Sequence, residues 1–442
     1  MIRLGARARR HLPAVGLALT TVSFLLIAVL LGQADLWSDA DDLALQLGIG
    51  LVLTFLVVLV VRYLLLLWLG HLHHVESWAE PMDTGFAPPV TIVVPAYNEE
   101  PVIVPALRSL LELRYPSYEV LVVDDGSTDG TYAAASTVAG RYGDVVVRVV
   151  RKANGGKATA LNHGLALARS DYVLCMDADS RLAPDTLRAA MRHFLDERVG
   201  AVAGNVKVVN RGNLWTRLQA LEYIEGLNLP RRAQGFLRVV NIVPGPIGVF
   251  RRDALARVGG YDTDTFAEDA DLTLKLLVDG WHVTYEDRAI AWTEAPETLH
   301  DLIKQRYRWT RGILQALRKR SSWLLTPAGG PAVWLSLLAM LFEAILWPTF
   351  NVVGNVLFAA AALSAGAASG VMYWWLLLSL LDVAAALHSI AREEEDLALV
   401  PYAIVYRLFF IAIVDVAKLF ATLEELTNVR MSWGKLARAG RI

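Results

Sequence analysis

Disulfide chemistry has no place in this chain: Cys175 is its one cysteine, so no internal bridge can form, and without paired Cys and His spacings no structural zinc site can be built. Charge is scarce as well, at 19% of residues against 55% hydrophobic, with a mean hydropathy of +0.40. Such a chain is too apolar to be wholly soluble and too apolar to stay disordered. The 42 Lys and Arg nearly balance the 44 Asp and Glu, for a formal net charge of -2. No global basic field exists to hold nucleic acid. Packing and lipid must therefore carry the fold.

The apolar residues gather at the two ends. No charge falls between Pro13 and Gly32, and at about 1.5 Å per helical residue that run spans the roughly 30 Å hydrocarbon layer. Arg3, Arg7, Arg9 and Arg10 precede it, which places the N-terminus in the cytoplasm by the positive-inside bias. A cleaved signal peptide is the rival reading, but the run is long and no clear A-x-A site follows it. A second stretch, Leu43 to Leu69, returns the chain to the cytoplasm. Beyond Pro331, apolar segments lie near 331–365, 371–390 and 398–420, before a basic tail with Arg430, Lys435, Arg438 and Arg441. Pro348 can split the first of these in two, and a cytoplasmic tail needs an even number of C-terminal crossings, which favours four over three. The expected organisation is a membrane region over 1–75 with two transmembrane helices, a cytoplasmic domain over 76–320, and a membrane region over 321–442 with three or four more.

Residues 76–320 read as alternating strands and helices. Strands are expected at Val90 to Pro95, Glu119 to Val123, Val145 to Val150 and Tyr172 to Met176, with helices at Glu100 to Leu113, Thr131 to Arg141, Ala158 to Ala168 and Pro184 to Phe194. That pitch indicates parallel β-α-β units with right-handed crossovers, a Rossmann-like α/β fold. Ligands bind beyond the carboxyl ends of such strands. Asn98-Glu99, Asp124-Asp125 and Asp177-Asp179 all fall at those ends and should share one crevice.

Each polar cluster has a functional and a plain reading. Asp177-x-Asp179 can face a hard divalent cation that also binds phosphates, or can cap the following helix. Asp124-Asp125-Gly126-Ser127 can accept hydrogen bonds from a base or ribose, or be a simple turn. Gly155-Gly156-Lys157 lets backbone and a point charge approach a phosphate, although it is not a Walker A loop. Glu268 and Asp269 can complement the dipole of the helix they precede, or supply a general base for a hydroxyl nucleophile. Gln305-Arg306-Tyr307-Arg308-Trp309 brings guanidinium groups and an indole to a helix beside the membrane, where both residue types are common. Arg311, Arg318, Lys319 and Arg320 read as lipid headgroup contacts. Glu343, Asp382, Arg407 and Asp415 lie in or near apolar runs, where a central charge costs roughly 2.5–3.5 kcal/mol on insertion scales; they line a channel or form an internal Arg407-Asp pair.

Taken in order, Val94-Pro-Ala-Tyr-Asn-Glu99, Asp124-Asp-Gly-Ser127, Gly155-Gly-Lys157, Asp177-x-Asp179, Glu268-Asp269 and Gln305-x-x-Arg308-Trp309 resemble the membrane-embedded processive family-2 glycosyltransferases. The resemblance covers about Val90 to Arg320. Val243-Pro-Gly-Pro-Ile-Gly248 and Trp292-Thr-Glu-Ala-Pro-Glu297 look most like the poly-β-1,6-N-acetylglucosamine synthases, with hyaluronan and chitin synthases as near neighbours. It implies a GT-A fold in the cytoplasm joined to an α-helical transmembrane domain. It also implies a UDP-sugar donor held by Ala96, Asn98, Glu99, Asp124, Asp125, Lys157 and Asp177, with Mg²⁺ or Mn²⁺ on Asp177 and Asp179. Asp269, beside Glu268, matches the general base, and Gln305, Arg308 and Trp309 match the motif that holds the donor diphosphate and the acceptor sugar. The implied product is a growing polysaccharide made and secreted at the cell membrane, with a small accessory subunit as a further partner. Two departures stand out: Ala267 replaces the usual Thr before Glu268-Asp269, and the cyclic-dinucleotide-sensing extension of bacterial cellulose synthases is not expected. Transfer of one sugar to a lipid carrier and an inactive export scaffold are the competing functions.

Overall fold

The computed structural model describes residues 13–18, 20–22, 43–364 and 368–429. Nine strands form one sheet: β1 (Val90–Ala96), β2 (Tyr118–Asp124), β3 (Gly140–Tyr142), β4 (Val145–Arg151), β5 (Tyr172–Cys175), β6 (Ser180–Leu182), β7 (Val199–Val208), β8 (Gly248–Arg251) and β9 (His282–Thr293). Their order is β3-β4-β2-β1-β5-β8-β7-β9-β6. β1 runs parallel to β2 and β5, and β2 to β4, as the alternating pattern requires. The other half is mixed, because β8 lies antiparallel between β5 and β7 while β7 and β9 are parallel. Along β1 and β2, Val94, Val120 and Val122 pack into one apolar layer and Val93, Leu121 and Val123 into the other. Both faces are covered, which is why these strands read as unbroken apolar runs.

Two helices are shorter than their sequence pattern suggests. The one expected over Thr131 to Arg141 stops at Ser136, and the chain turns back as edge strand β3, antiparallel to β4. Gly143, at φ +64°, opens the two-residue hairpin that joins them. The helix expected over Pro184 to Phe194 spans Thr186–Met191 and tightens into a 3₁₀ turn at Arg192–Leu195, because β6 takes up the residues just ahead of it.

Among the described residues, Val57–Ala79, Pro331–Val356 and Leu397–Leu426 are long and apolar enough to cross a membrane. The expected first span is described only as a helix from Pro13 to Val22, and the basic tail lies outside the described residues. Pro348 does not split the segment after Pro331. A π turn at Phe342–Leu346 precedes it, so the helix passes on into Trp347–Ser364 without a break. The wider π turn accommodates the ring and the missing N–H that would disrupt a regular α-helix. Helix Ala368–Arg392 follows. Leu397–Leu426 is tied to the sheet domain at both ends: Arg217 bonds the Tyr402 hydroxyl at 2.5 Å, and Arg311 Nε bonds Glu425 at 2.9 Å.

Buried ion pairs lock the helices to the sheet. Asp287 on β9 meets His74 Nδ1 and Trp78 Nε1, each at 3.2 Å, and Glu393 accepts from Asn205 on β7 and from Arg232, each at 2.5 Å. Within the helices, Glu343 accepts from Arg62 at 2.6 Å, Asp382 from Arg407 at 2.8 Å and Asp415 from Asn351 at 2.6 Å. Of the two readings of these charges, the paired, structural one matches the geometry.

Candidate active site

The loops after β1, β2 and β4 are stitched together at the carboxyl edge of the sheet. Asn98 sits in the left-handed region at φ +54°. Its side-chain carbonyl accepts from the Thr128 amide at 2.8 Å, and its own amide donates to Ser127 Oγ at 3.0 Å. The Glu99 amide donates to Thr131 Oγ1 at 2.7 Å. Ala96 is buried, with its carbonyl accepting from the Asp125 amide at 2.8 Å.

Asp124 and Asp125 are both buried, but they do different things. Asp125 accepts from Lys152 Nζ at 2.5 Å and from the Gly155 and Gly156 amides at 3.1 and 2.7 Å. It holds the glycine loop in shape, and its hydrogen-bonding capacity is spent. Asp124 lies 3.0 Å from Arg151 Nε, yet the alignment is too poor for a hydrogen bond and neither of its buried oxygens has a donor among the described residues. An unsatisfied buried carboxylate is costly and asks for a ligand donor.

At the end of β5, Asp177 meets the other acids around one ammonium group. Lys157 Nζ lies 2.7 Å from Asp177 Oδ1 and 3.0 Å from Glu268 Oε1. Burial alone would lower the lysine's pKa, but Asp177, Glu268 and Asp269 hold it well above its ordinary value. Asp269 lines the same cavity. Burial and then the neighbouring Glu268 push its carboxyl up to about 6, against the pull of Lys157. Gly245 closes the cavity from the other side, since a Cβ there would meet Asp177 Oδ2 at 2.7 Å and Lys157 Nζ at 2.8 Å. Asp179 is buried behind Asp177 and accepts from the Ser180 hydroxyl at 3.4 Å. Cys175, in the wall, is a buried thiol whose pKa burial pushes up to about 11, so it is not a nucleophile.

Helix Leu299–Lys319 carries the Gln305-x-x-Arg308-Trp309 motif and packs against the residues that precede Glu268 and Asp269. The contact is made at Gly312, where a Cβ would lie 2.7 Å from both the backbone nitrogen and the Cβ of Ala267. Gln315 Oε1 accepts from the Phe266 amide at 3.2 Å and fixes the crossing. Gln305 is buried, while Arg308 and Trp309 are half-buried. Ala267, where the resemblance leads one to expect Thr, is the residue against which Gly312 packs.

Three of the four residues read as headgroup contacts are turned inward instead. Arg311 is buried against Glu425, and Lys319 and Arg320 bind acids of the sheet domain; Arg318 remains largely exposed. Asp262, Asp264 and Asp271 gather closely enough for a metal, but Lys319 Nζ already sits among them at 2.5, 2.5 and 3.2 Å. Burial would raise the Asp262 carboxyl, yet bonds from Lys275 and Lys319 hold it well below the carboxylate range. This is an ion-pair knot, not a metal site. Two residues that shape the active centre, Lys152 and Glu222, were not singled out from sequence, and Arg306 and Gly245 were named only within their motifs, without a task of their own. Lysine and glutamate have too many surface uses to stand out singly.

The family model described as "Glycosyltransferase like family 2" matches residues 88–312. The chain belongs to glycosyltransferase family 2. This transferase is 34% identical over 224 residues to a poly-β-1,6-N-acetyl-D-glucosamine synthase of Staphylococcus aureus strain COL, and 33% identical over 228 residues to that of Staphylococcus epidermidis. Each match covers 50% of this chain and 54% of the relative, so the transferase spans about half the length of the curated relatives it matches. Among solved structures, it is similar to the mannosyltransferase PcManGT from Pyrobaculum calidifontis in complex with GDP-Man and Mn²⁺, with a TM-score of 0.60 and 24% identity over 87% of this chain and 99% of the other. That likeness shows the GT-A fold, which includes the sheet described above.

Proposed function

We propose that this transferase polymerises N-acetylglucosamine from UDP-N-acetylglucosamine into a β-linked polysaccharide at the cell membrane, with residues 76–320 as its cytoplasmic catalytic domain between membrane regions 1–75 and 321–442. The observation that carries it is the pairing of Asp177 and Glu268 with Lys157 in a cavity that Asp269 also lines, where the helix of Gln305, Arg308 and Trp309 packs on Ala267 just before the two acids. The donor sugar rests on the relatives, which are named as poly-β-1,6-N-acetyl-D-glucosamine synthases over this same half of the chain. Three apolar helices support the membrane setting, and passage of the product across it belongs to the same proposal.

Inverting transfer displaces the nucleotide in line at the anomeric carbon, so one group must take a proton from the acceptor hydroxyl and others must stabilise the departing diphosphate. Asp269 takes the proton. Lys157 and Arg308 face the diphosphate. Asp124, with no donor on its buried oxygens among the described residues, receives the N–H or ribose hydroxyl of uridine, while Asp125 holds the glycine loop, and Ala96, Asn98 and Glu99 form the wall opposite. Trp309 offers a flat apolar face to the acceptor ring.

The residues also suit a divalent ion. Asp177 and Asp179 supply the hard oxygen donors that such an ion takes, and an ion there would share Asp177 with the Lys157 ammonium 2.7 Å away. Asp177 and Asp179 would hold Mg²⁺ or Mn²⁺, which neutralises charge on the leaving diphosphate.

Membranes containing the protein should convert radiolabelled UDP-N-acetylglucosamine, and no other nucleotide sugar of a panel at a similar rate, into long chains cut by a β-1,6-specific N-acetylglucosaminidase. A single sugar on a lipid carrier, or chains from a different donor, would overturn the reading.

A further inference from the structure

Within the motif on helix Leu299–Lys319, Arg306 occupies a position that the family resemblance assigns no task. Its side chain is 2% exposed. The Nε donates to Glu222 Oε1 at 3.0 Å, a terminal nitrogen donates to the other oxygen of Glu222, and the remaining nitrogen donates to Gln305 Oε1 at 2.5 Å. Its guanidinium carbon stands 4.3 Å from the centroid of the Trp309 ring. The i, i+3 spacing on one helix is what brings the two side chains alongside. Tyr223 sits next to Glu222, and its ring centroid is 6.5 Å from that of Trp309. Glu222 ends helix Leu214–Glu222, where the backbone passes into the π turn Tyr223–Asn228.

We infer that Arg306, clamped by Glu222, is a positioning residue that fixes the plane of the Trp309 indole and the side chain of Gln305, and thereby sets the affinity for the acceptor sugar. This arginine is buried and engaged on all three nitrogens, with three of its five N–H groups committed to Glu222 and Gln305. It still presents a flat cationic plane to an aromatic ring, a stack that lysine cannot reproduce. A bidentate carboxylate holds that plane in one orientation. The indole is the larger of the motif's two aromatic faces, the Tyr307 hydroxyl being tied to Glu424 and Arg311, and a tilted ring would forfeit contact with the C–H face of a sugar without disturbing Lys157, Asp177 or Asp269. The inference rests on the proposed polymerising role through its acceptor, so both are tested together.

The full-length protein in nanodiscs is assayed for acceptor-stimulated UDP release with a short N-acetylglucosamine oligosaccharide. Glu222→Gln is compared with the double variant Glu222→Gln, Arg306→Gln, in which no unpaired charge is left buried. Both should raise the acceptor KM by about tenfold or more while the donor KM moves by less than about twofold. A folded double variant with the wild-type acceptor KM overturns the inference. So does a parallel rise of donor and acceptor KM, which is the signature of a clamp between two helices and nothing more. Wild-type protein that ignores UDP-N-acetylglucosamine but uses another donor of the panel sinks the donor assignment instead, and the same comparison is then read with that donor.

Discussion

Asp269 opens the helix Glu268–Val278 and commits one carboxylate oxygen to the Ala270 amide at 2.8 Å. Its neighbour Glu268 lies against Lys157. In the proposed mechanism two adjacent acids divide the work: one pairs with the fixed cation, and the other takes the proton. Asp269→Asn keeps the size and the helix start but cannot accept a proton, so turnover should fall by about 10²–10⁴-fold. Donor affinity, measured by UDP-sugar titration, should stay near wild type. Undiminished synthesis would remove Asp269 from the base role. The same kind of division separates Asp124 from Asp125, and nothing in the sequence distinguishes them. Asp124 ends β2 and Asp125 follows it, and both are buried, but only the folded loop shows that Lys152, Gly155 and Gly156 consume Asp125.

At the scale of elements, the catalytic crevice depends on how closely helix Leu299–Lys319 can approach the start of helix Glu268–Val278. Gly312 sets that distance, with backbone in the way of any added Cβ. Gly312→Val should therefore cost about 1–3 kcal/mol by overpacking, seen as a lower unfolding temperature, and should reduce UDP release further by moving Gln305, Arg308 and Trp309. Gly312→Ala should show a smaller loss of the same kind. Wild-type stability and turnover in both variants would mean that the helices do not touch there. The parallel strands β1, β2, β4 and β5 were legible because their apolar runs end at polar motifs. Strands β3 and β6 were not, since three residues beside a helix pattern carry no period of their own. Pairing decided them, and pairing is a tertiary event.

For the whole molecule, the side on which the C-terminal helix ends governs its topology. Val429 receives Arg311 at 2.7 Å and Asn428 receives Arg318 at 2.9 Å, so this end of the helix lies on the face of the catalytic domain. In a variant lacking Cys175, a cysteine at Asn428 should react with an impermeant maleimide from the same side of sealed vesicles as one at Asp171, an exposed position of the sheet domain. Labelling from opposite sides would require the helix to cross fully. The sequence by itself determined that this chain has apolar ends around an α/β centre, and it put the acidic motifs at strand ends, because periodicity and motif order are local properties of a chain. The tertiary structure alone decided which carboxylates meet Lys157, that the arginines near residues 311–320 mostly turn inward to acids, and that a π turn carries the helix through Pro348. Those outcomes depend on charges and backbones brought together from distant parts of the chain, and a buried ion finds its partner only when the fold removes the water.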